Sequence, residues 1–175
     1  MAEKTFDQVV AEIKGKSILV ANRGIPARRI VRTIREMAQG VAIMTATDLD
    51  KASPTTAAAR ELLLLGEDPR AYLNIDLIIK KANRRGIIAI HPGWGFAAED
   101  DSFPKKCAEN GILFIGPTAE AMRLLGNKVE VRNLAKKCGV PVVPGSEGSV
   151  SVEEARRLAH EIGFPIMLKA EGGGC

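Results

Sequence analysis

Ser17-Ile18-Leu19-Val20-Ala21-Asn22-Arg23-Gly24-Ile25-Pro26 decides the fold. Ile18 to Ala21 is a short apolar run, and Asn22-Arg23-Gly24 breaks it. Pro26 suits the first turn of a helix, where its missing N–H leaves no hydrogen bond unmade. The stretch predicts a buried strand, a loop and a helix. Ile30, Ile34, Met37 and Ala38 mark one face of that helix, and Gly40 suits its end. Val41 to Met44 reads as a second strand. A loop with Asp48, Asp50 and Pro54 follows, then a third strand from Glu61 to Leu65, stopped by Gly66.

The pattern repeats downstream. Tyr72 to Arg85 carries Leu73, Leu77, Ile78 and Ala82 at helical spacing. Ile87 to Ile90 is a fourth strand, and His91-Pro92-Gly93-Trp94-Gly95-Phe96 a glycine-rich loop. Phe103 to Asn110 is a helix ended by Gly111, and Ile112 to Ile115 a fifth strand. Strands alternating with helices predict a parallel sheet covered on both faces, an α/β Rossmann-like doubly wound domain. In such sheets ligands meet the loops after the strands' carboxyl ends. Two loops stand out there, 22–24 and 91–95. Upstream, Phe6, Val9, Val10 and Ile13 predict a short docking helix within an N-terminal extension, residues 1–16.

The organisation changes after Pro117. Residues 118–125 read as a helix closed by Gly126. Asn127 can cap the next helix, with Glu130 three residues on as in a capping box. Leu134 and Cys138 continue that helix's buried face. Val140 to Gly145 is proline-rich and extended. Ser151 opens another helix, with Ala155, Leu158, Ala159 and Ile162 inward. Phe164 to Lys169 reads as a strand, followed by Glu171 and Gly172-Gly173-Gly174. These features predict one domain over 17–126 and the start of a second over 127–175. The 175 residues have room for one domain of about 100–150 residues and part of another.

Net charge is +4, with acids interleaved among the bases. Arg123, Lys128, Arg132, Lys136 and Lys137 gather locally without aromatic neighbours, which fits a solvated helix face better than a nucleic-acid surface. Cys107, Cys138 and Cys175 are odd in number and form no CxxC pair. They point to a reducing cytoplasm rather than to a disulfide framework or zinc site. No apolar run approaches the roughly 18 residues that span a membrane. Neither GxxxxGK[ST] nor GxGxxG occurs, so neither a P-loop nor a dinucleotide fingerprint is supported.

Lys169 ends an apolar run, so its ammonium either meets an anion or is solvated at a turn. The N–H groups of Gly172, Gly173 and Gly174 could close over phosphates. Lys128 stands just inside a helix start, where the helix dipole disfavours a cation. A bound anion would explain it, and so would plain exposure. Trp94 could stack on a flat ligand, with His91 and Pro92 fixing the loop's shape. Arg32 and Glu36, four apart, read as an exposed pair or as part of a self-associating surface.

These pieces resemble biotin carboxylase when taken together and in order. They are Ile-Leu-Val-Ala-Asn-Arg-Gly (18–24), Tyr-Leu-Asn-Ile-Asp (72–76), Ala-Ile-His-Pro-Gly-Trp-Gly-Phe (89–96), Phe-Ile-Gly-Pro (114–117), Leu-Gly-Asn-Lys (125–128), Gly-Val-Pro-Val-Val-Pro-Gly (139–145) and Lys-Ala-Glu-Gly-Gly-Gly (169–174). The similarity runs from about Lys16 to the end. It implies an ATP-grasp ligase that uses ATP, Mg2+ or Mn2+ and bicarbonate to carboxylate biotin on a carrier domain, working with a carboxyltransferase. It implies that Lys128 and Lys169 contact ATP and that Gly172 to Gly174 begin the phosphate lid. Trp94 and Gly95 would lie near biotin, and Arg32 and Glu36 on the dimer-forming helix of bacterial members. Ile25, Trp94 and Asn127 stand where bacterial subunits usually have Glu, Tyr and Asp. The forms here are more similar to the large acetyl-CoA carboxylases. The acceptor (acetyl-CoA, propionyl-CoA, pyruvate or urea) belongs to the carboxyltransferase. The family's metal-binding glutamates, adenine pocket and catalytic arginine would lie beyond residue 175, so the 175 residues alone are expected to fold without turning over ATP. Two rivals share parts of the pattern: another ATP-grasp ligase such as a carbamoyl-phosphate synthetase, and a non-enzymatic nucleotide-binding module.

Overall fold

The computed structural model describes residues 5–169. The chain divides into two compact units between Ala119 and Glu120. The first holds α1 (Phe6–Ile13), β1 (Ser17–Val20), α2 (Gly24–Thr33), β2 (Val41–Thr47), β3 (Glu61–Gly66), α3 (Ile75–Arg84), β4 (Ala89–His91), α4 (Ser102–Glu109) and β5 (Leu113–Phe114). The strands form one parallel sheet in the order β3-β2-β1-β4-β5. This is the expected doubly wound α/β sheet.

Alternate strand residues feed opposite cores, as the two-residue period of a strand requires. Leu19, Ile43, Leu63 and Ile90 face α3 and α4, where Ile75, Ile78, Phe103 and Cys107 are buried. Ile18, Val20, Ala42, Met44 and Ala89 face α2, meeting Ala27 and Val31. Covering both faces is what lets the strands be largely apolar on both sides, although edge strand β3 leaves Glu61 and Leu64 exposed. A capping box between Thr5 and Gln8 starts α1, and Ile13 packs beside the second core.

The helix after β1 differs from its sequence reading. Its last turn, Ile34–Ala38, is a π turn, and Gln39 rather than Gly40 takes the left-handed position. The wider turn keeps Ile34 and Ala38 in the core and leaves Met37 60% exposed. Gly40 is needed for a different reason: a Cβ there would lie 2.8 Å from the Lys16 carbonyl oxygen. The helix predicted from Tyr72 begins at Ile75, after a 3-10 turn over Pro69–Leu73, with the Asn74 side chain accepting from Leu77 N–H.

α5 spans Ala119–Gly126, all but its first residue in the second unit, which also holds α6 (Lys128–Lys137) and α7 (Val152–Ile162). Asn127 caps α6 by accepting from Val129 and Glu130 N–H at 2.9 and 3.1 Å. Cys138 is exposed and Leu134 half-buried, so α6 lacks the predicted buried face. Arg132 instead donates to the carbonyls of Val143 and Ser146 and holds the extended 140–146 segment. In α7 Ala159 is buried, whereas Ile162 is 40% exposed. The predicted strand at 164–169 is absent: the segment is irregular, with Phe164, Met167 and Leu168 exposed. A strand forms only when a neighbour takes up its N–H and C=O groups, and no described residues offer one.

Candidate functional site

Strand order reverses between β1 and β4, the point at which the connections turn to opposite sides. The loops leaving these two strands lie at that switch point, the place where doubly wound sheets bind ligands. They are 22–24 and 91–95, the pair that stands out in the sequence.

Asn22 joins them. It is 1% exposed, and its Nδ2 donates to the carbonyls of Pro92 at 2.9 Å and Trp94 at 2.8 Å. His91 shapes the same loop, its Nδ1 accepting from Gly93 N–H at 3.0 Å. Gly93 and Gly95 both hold positive φ, which favours glycine. Trp94 is left 75% exposed. Phe96, at φ 51°, packs its ring 5.2 Å from that of Tyr72.

A second anchor centres on Asp50. Its carboxylate accepts from the Tyr72 hydroxyl at 2.8 Å and the Thr47 hydroxyl at 2.7 Å, and pairs with Arg23 at 2.8 Å. The Arg23 guanidinium also lies over the Tyr72 ring, 5.8 Å from its centroid. Burial, reinforced by Asp50, pushes the Tyr72 hydroxyl up to about 12, so it stays a donor. In the sequence Asp50 is only a loop residue, and Tyr72 lies in a stretch with helical spacing. An acid between an apolar strand and a proline gives no sign that it will be buried.

Burial also holds the His91 pKa below the ordinary 6.5. The unfolded chain therefore takes up its proton first, and the folded state loses stability as pH falls through that value. Thermal midpoints should drop more between about pH 7.5 and pH 5.5 in wild type than in His91→Asn, which keeps an acceptor but does not titrate. Equal drops would contradict this.

The other predicted residues are spread over the chain. Lys128 is the first residue of α6 and is half-buried, and Lys169 is exposed in the segment after α7. Gly172, Gly173 and Gly174 lie outside the described residues. Arg32 and Glu36 form an exposed ion pair at 2.7 Å, at the junction of α2 and the π turn. Exposed Ile25, Arg28, Arg29 and Arg35 surround them. Among the described residues no group of three or more His, Cys, Asp or Glu could hold a metal ion. No helix among them is long and apolar enough to cross a membrane.

Residues 14–122 match the family described as biotin carboxylase, N-terminal domain, and residues 127–175 the ATP-binding domain of the carbamoyl-phosphate synthase L chain. The chloroplastic biotin carboxylase of Arabidopsis thaliana is 44% identical over 163 residues, which cover 91% of this chain and 30% of that protein. The biotin carboxylase–βγ-ATP complex of Campylobacter jejuni superposes with a TM-score of 0.85 at 41% identity, covering 94% of this chain and 37% of the other. The biotin carboxylase domain dimer of Hydrogenobacter thermophilus 2-oxoglutarate carboxylase, solved with MgADP, ADP and bicarbonate, gives 0.83 at 41% identity, covering 90% and 35%. The chain spans about a third of the length of such biotin carboxylases. The family match takes in both switch-point loops and the whole sheet that carries them, and the chain belongs to the biotin carboxylases.

Proposed function

We propose that a protein carrying this chain is an ATP-dependent ligase that carboxylates biotin on a carrier domain, drawing the carboxyl from bicarbonate. The observation that carries this reading is the Trp94 loop, held by Asn22 at the switch point of a biotin carboxylase domain. Trp94 and Gly95 stand on the biotin side. Lys128 and Lys169 neutralise ATP phosphate oxygens, and Gly172 to Gly174 begin the lid over them. Support for the nucleotide and bicarbonate comes from the H. thermophilus relative, whose crystals hold MgADP and bicarbonate. Mg2+ would supply charge neutralisation to the phosphates, but no cluster among the described residues fits it.

The domains are read as 1–16, an N-terminal extension, 17–126, the biotin carboxylase N-terminal domain, and 127–175, the beginning of the ATP-grasp domain. The outer face of α2, with Arg32 and Glu36, is the homodimer surface. Its exposed arginines and 79% exposed Ile25 support that reading, as does the dimeric relative. A carrier domain and a carboxyltransferase are the other partners, and the cytoplasm the compartment.

Biotin-stimulated, bicarbonate-dependent ADP release from the complete protein is the test. Replacing Lys128 or Lys169 by Met there should weaken MgATP binding about tenfold each, the worth of one charged hydrogen bond. Bicarbonate-dependent ADP release indifferent to biotin would favour a carbamoyl-phosphate synthetase-like ligase instead.

A further inference from the structure

We propose that Asn22 is the positioning residue for Trp94, its buried carboxamide setting where the indole stands. The role of Trp94 toward biotin rests on the function proposed above. The clamp itself rests only on geometry.

The loop is pinned at three successive residues. Asn22 Nδ2 spends both protons on it, at the Pro92 and Trp94 carbonyls, and Gly93 N–H between them donates to His91 Nδ1. The clamp is itself held. Asn22 Oδ1 accepts from Arg23 N–H at 2.8 Å, and the Asn22 carbonyl accepts from the buried Thr45 hydroxyl at 3.1 Å. Asn22 therefore cannot rotate without breaking several bonds in a dry environment, where unmade bonds are expensive.

Close packing reinforces the bonding. A Cβ on Gly93 would lie 2.5 Å from Asn22 Nδ2 and 2.6 Å from Asn22 Cβ, and Gly93 holds φ at +76°. Asn22 and Gly93 are thus a matched pair: the amide fills the space that a side chain at 93 would need. The Trp94 ring is three-quarters exposed, so the backbone beneath it, rather than packing around it, fixes its position. Aspartate is nearly the same shape as asparagine but has no N–H, and would set a carboxylate against two carbonyl oxygens.

Trp94 is the only tryptophan of the 175 residues, so its emission reads the loop without a label. Asn22→Asp should lower the nanosecond anisotropy of the indole about twofold and raise its quenching by acrylamide, with far-UV circular dichroism unchanged. Gly93→Ala, which attacks the clamp from the other side and adds no charge, should do the same and serves if Asn22→Asp does not fold. An unchanged indole signal in either folded variant overturns the proposal. In the complete carboxylase, Asn22→Asp should raise KM for free biotin about tenfold and leave KM for ATP unaltered. A loosened indole with an unmoved biotin KM would uphold the clamp and overturn the biotin-side placing of Trp94.

Discussion

Phe103→Ala lowers the stability of the sheet domain by about 3–5 kcal/mol, the usual loss when a fully buried phenyl ring is deleted. Phe103 is 0% exposed on α4, and its ring lies 5.4 Å from that of Phe114 at 59°. It shares its core with Cys107 and Ile112, which flank the turn from α4 into β5. β5 is only two residues long and, among the described residues, pairs only with β4. So short a strand relies on packing from its helix more than on its ladder. The ring's removal therefore leaves a void beneath the edge of the sheet least able to collapse onto it. Urea titration followed by far-UV circular dichroism should show the midpoint falling at unchanged slope. A loss below about 1 kcal/mol would mean that β5 does not depend on this contact.

Asp50→Ala is expected to be nearly as damaging, at about 2–4 kcal/mol. Three donors converge on this carboxylate: the Tyr72 and Thr47 hydroxyls and the Arg23 guanidinium. Tyr72 is 0% exposed, so its hydroxyl would lose its acceptor where water cannot replace it. Arg23 is 43% exposed at its side chain and would be rescued by solvent, so the ion pair adds less than its 2.8 Å length suggests. Asp50→Asn separates the two contributions. It keeps an acceptor for one hydroxyl and removes the charge, and should cost about half as much. Thermal denaturation of both variants checks the ranking, and equal losses would contradict it.

The sheet was legible because parallel strands buried on both faces appear as short apolar runs, and each run from Ile18 to Phe114 is bounded by glycine, proline or a polar loop. The two ligand-side loops were legible for the same reason: Asn22-Arg23-Gly24 and the glycines around Trp94 interrupt that pattern. What joins them was not. Nothing local to Asn22 shows that its amide will reach Pro92 and Trp94, because that contact exists only once β1 and β4 lie side by side. The π turn at 34–38 leaves no mark in the sequence, because a single widened turn barely alters the apolar spacing, and so the helical period places Met37 on a face that the structure exposes. Phe164 to Leu168 has strand composition, but composition cannot provide the neighbour that a strand needs.

The central place of β1 has a consequence for biosynthesis. One edge of β1 is satisfied by β2, which follows closely, whereas the other waits for β4 at residues 89–91. Once β1, β2 and β3 have left the ribosome and until β4 has, the nascent chain presents the bare edge of its most apolar strand. That interval is when a holdase chaperone has something to grip, and it closes as β4 emerges and zips into place.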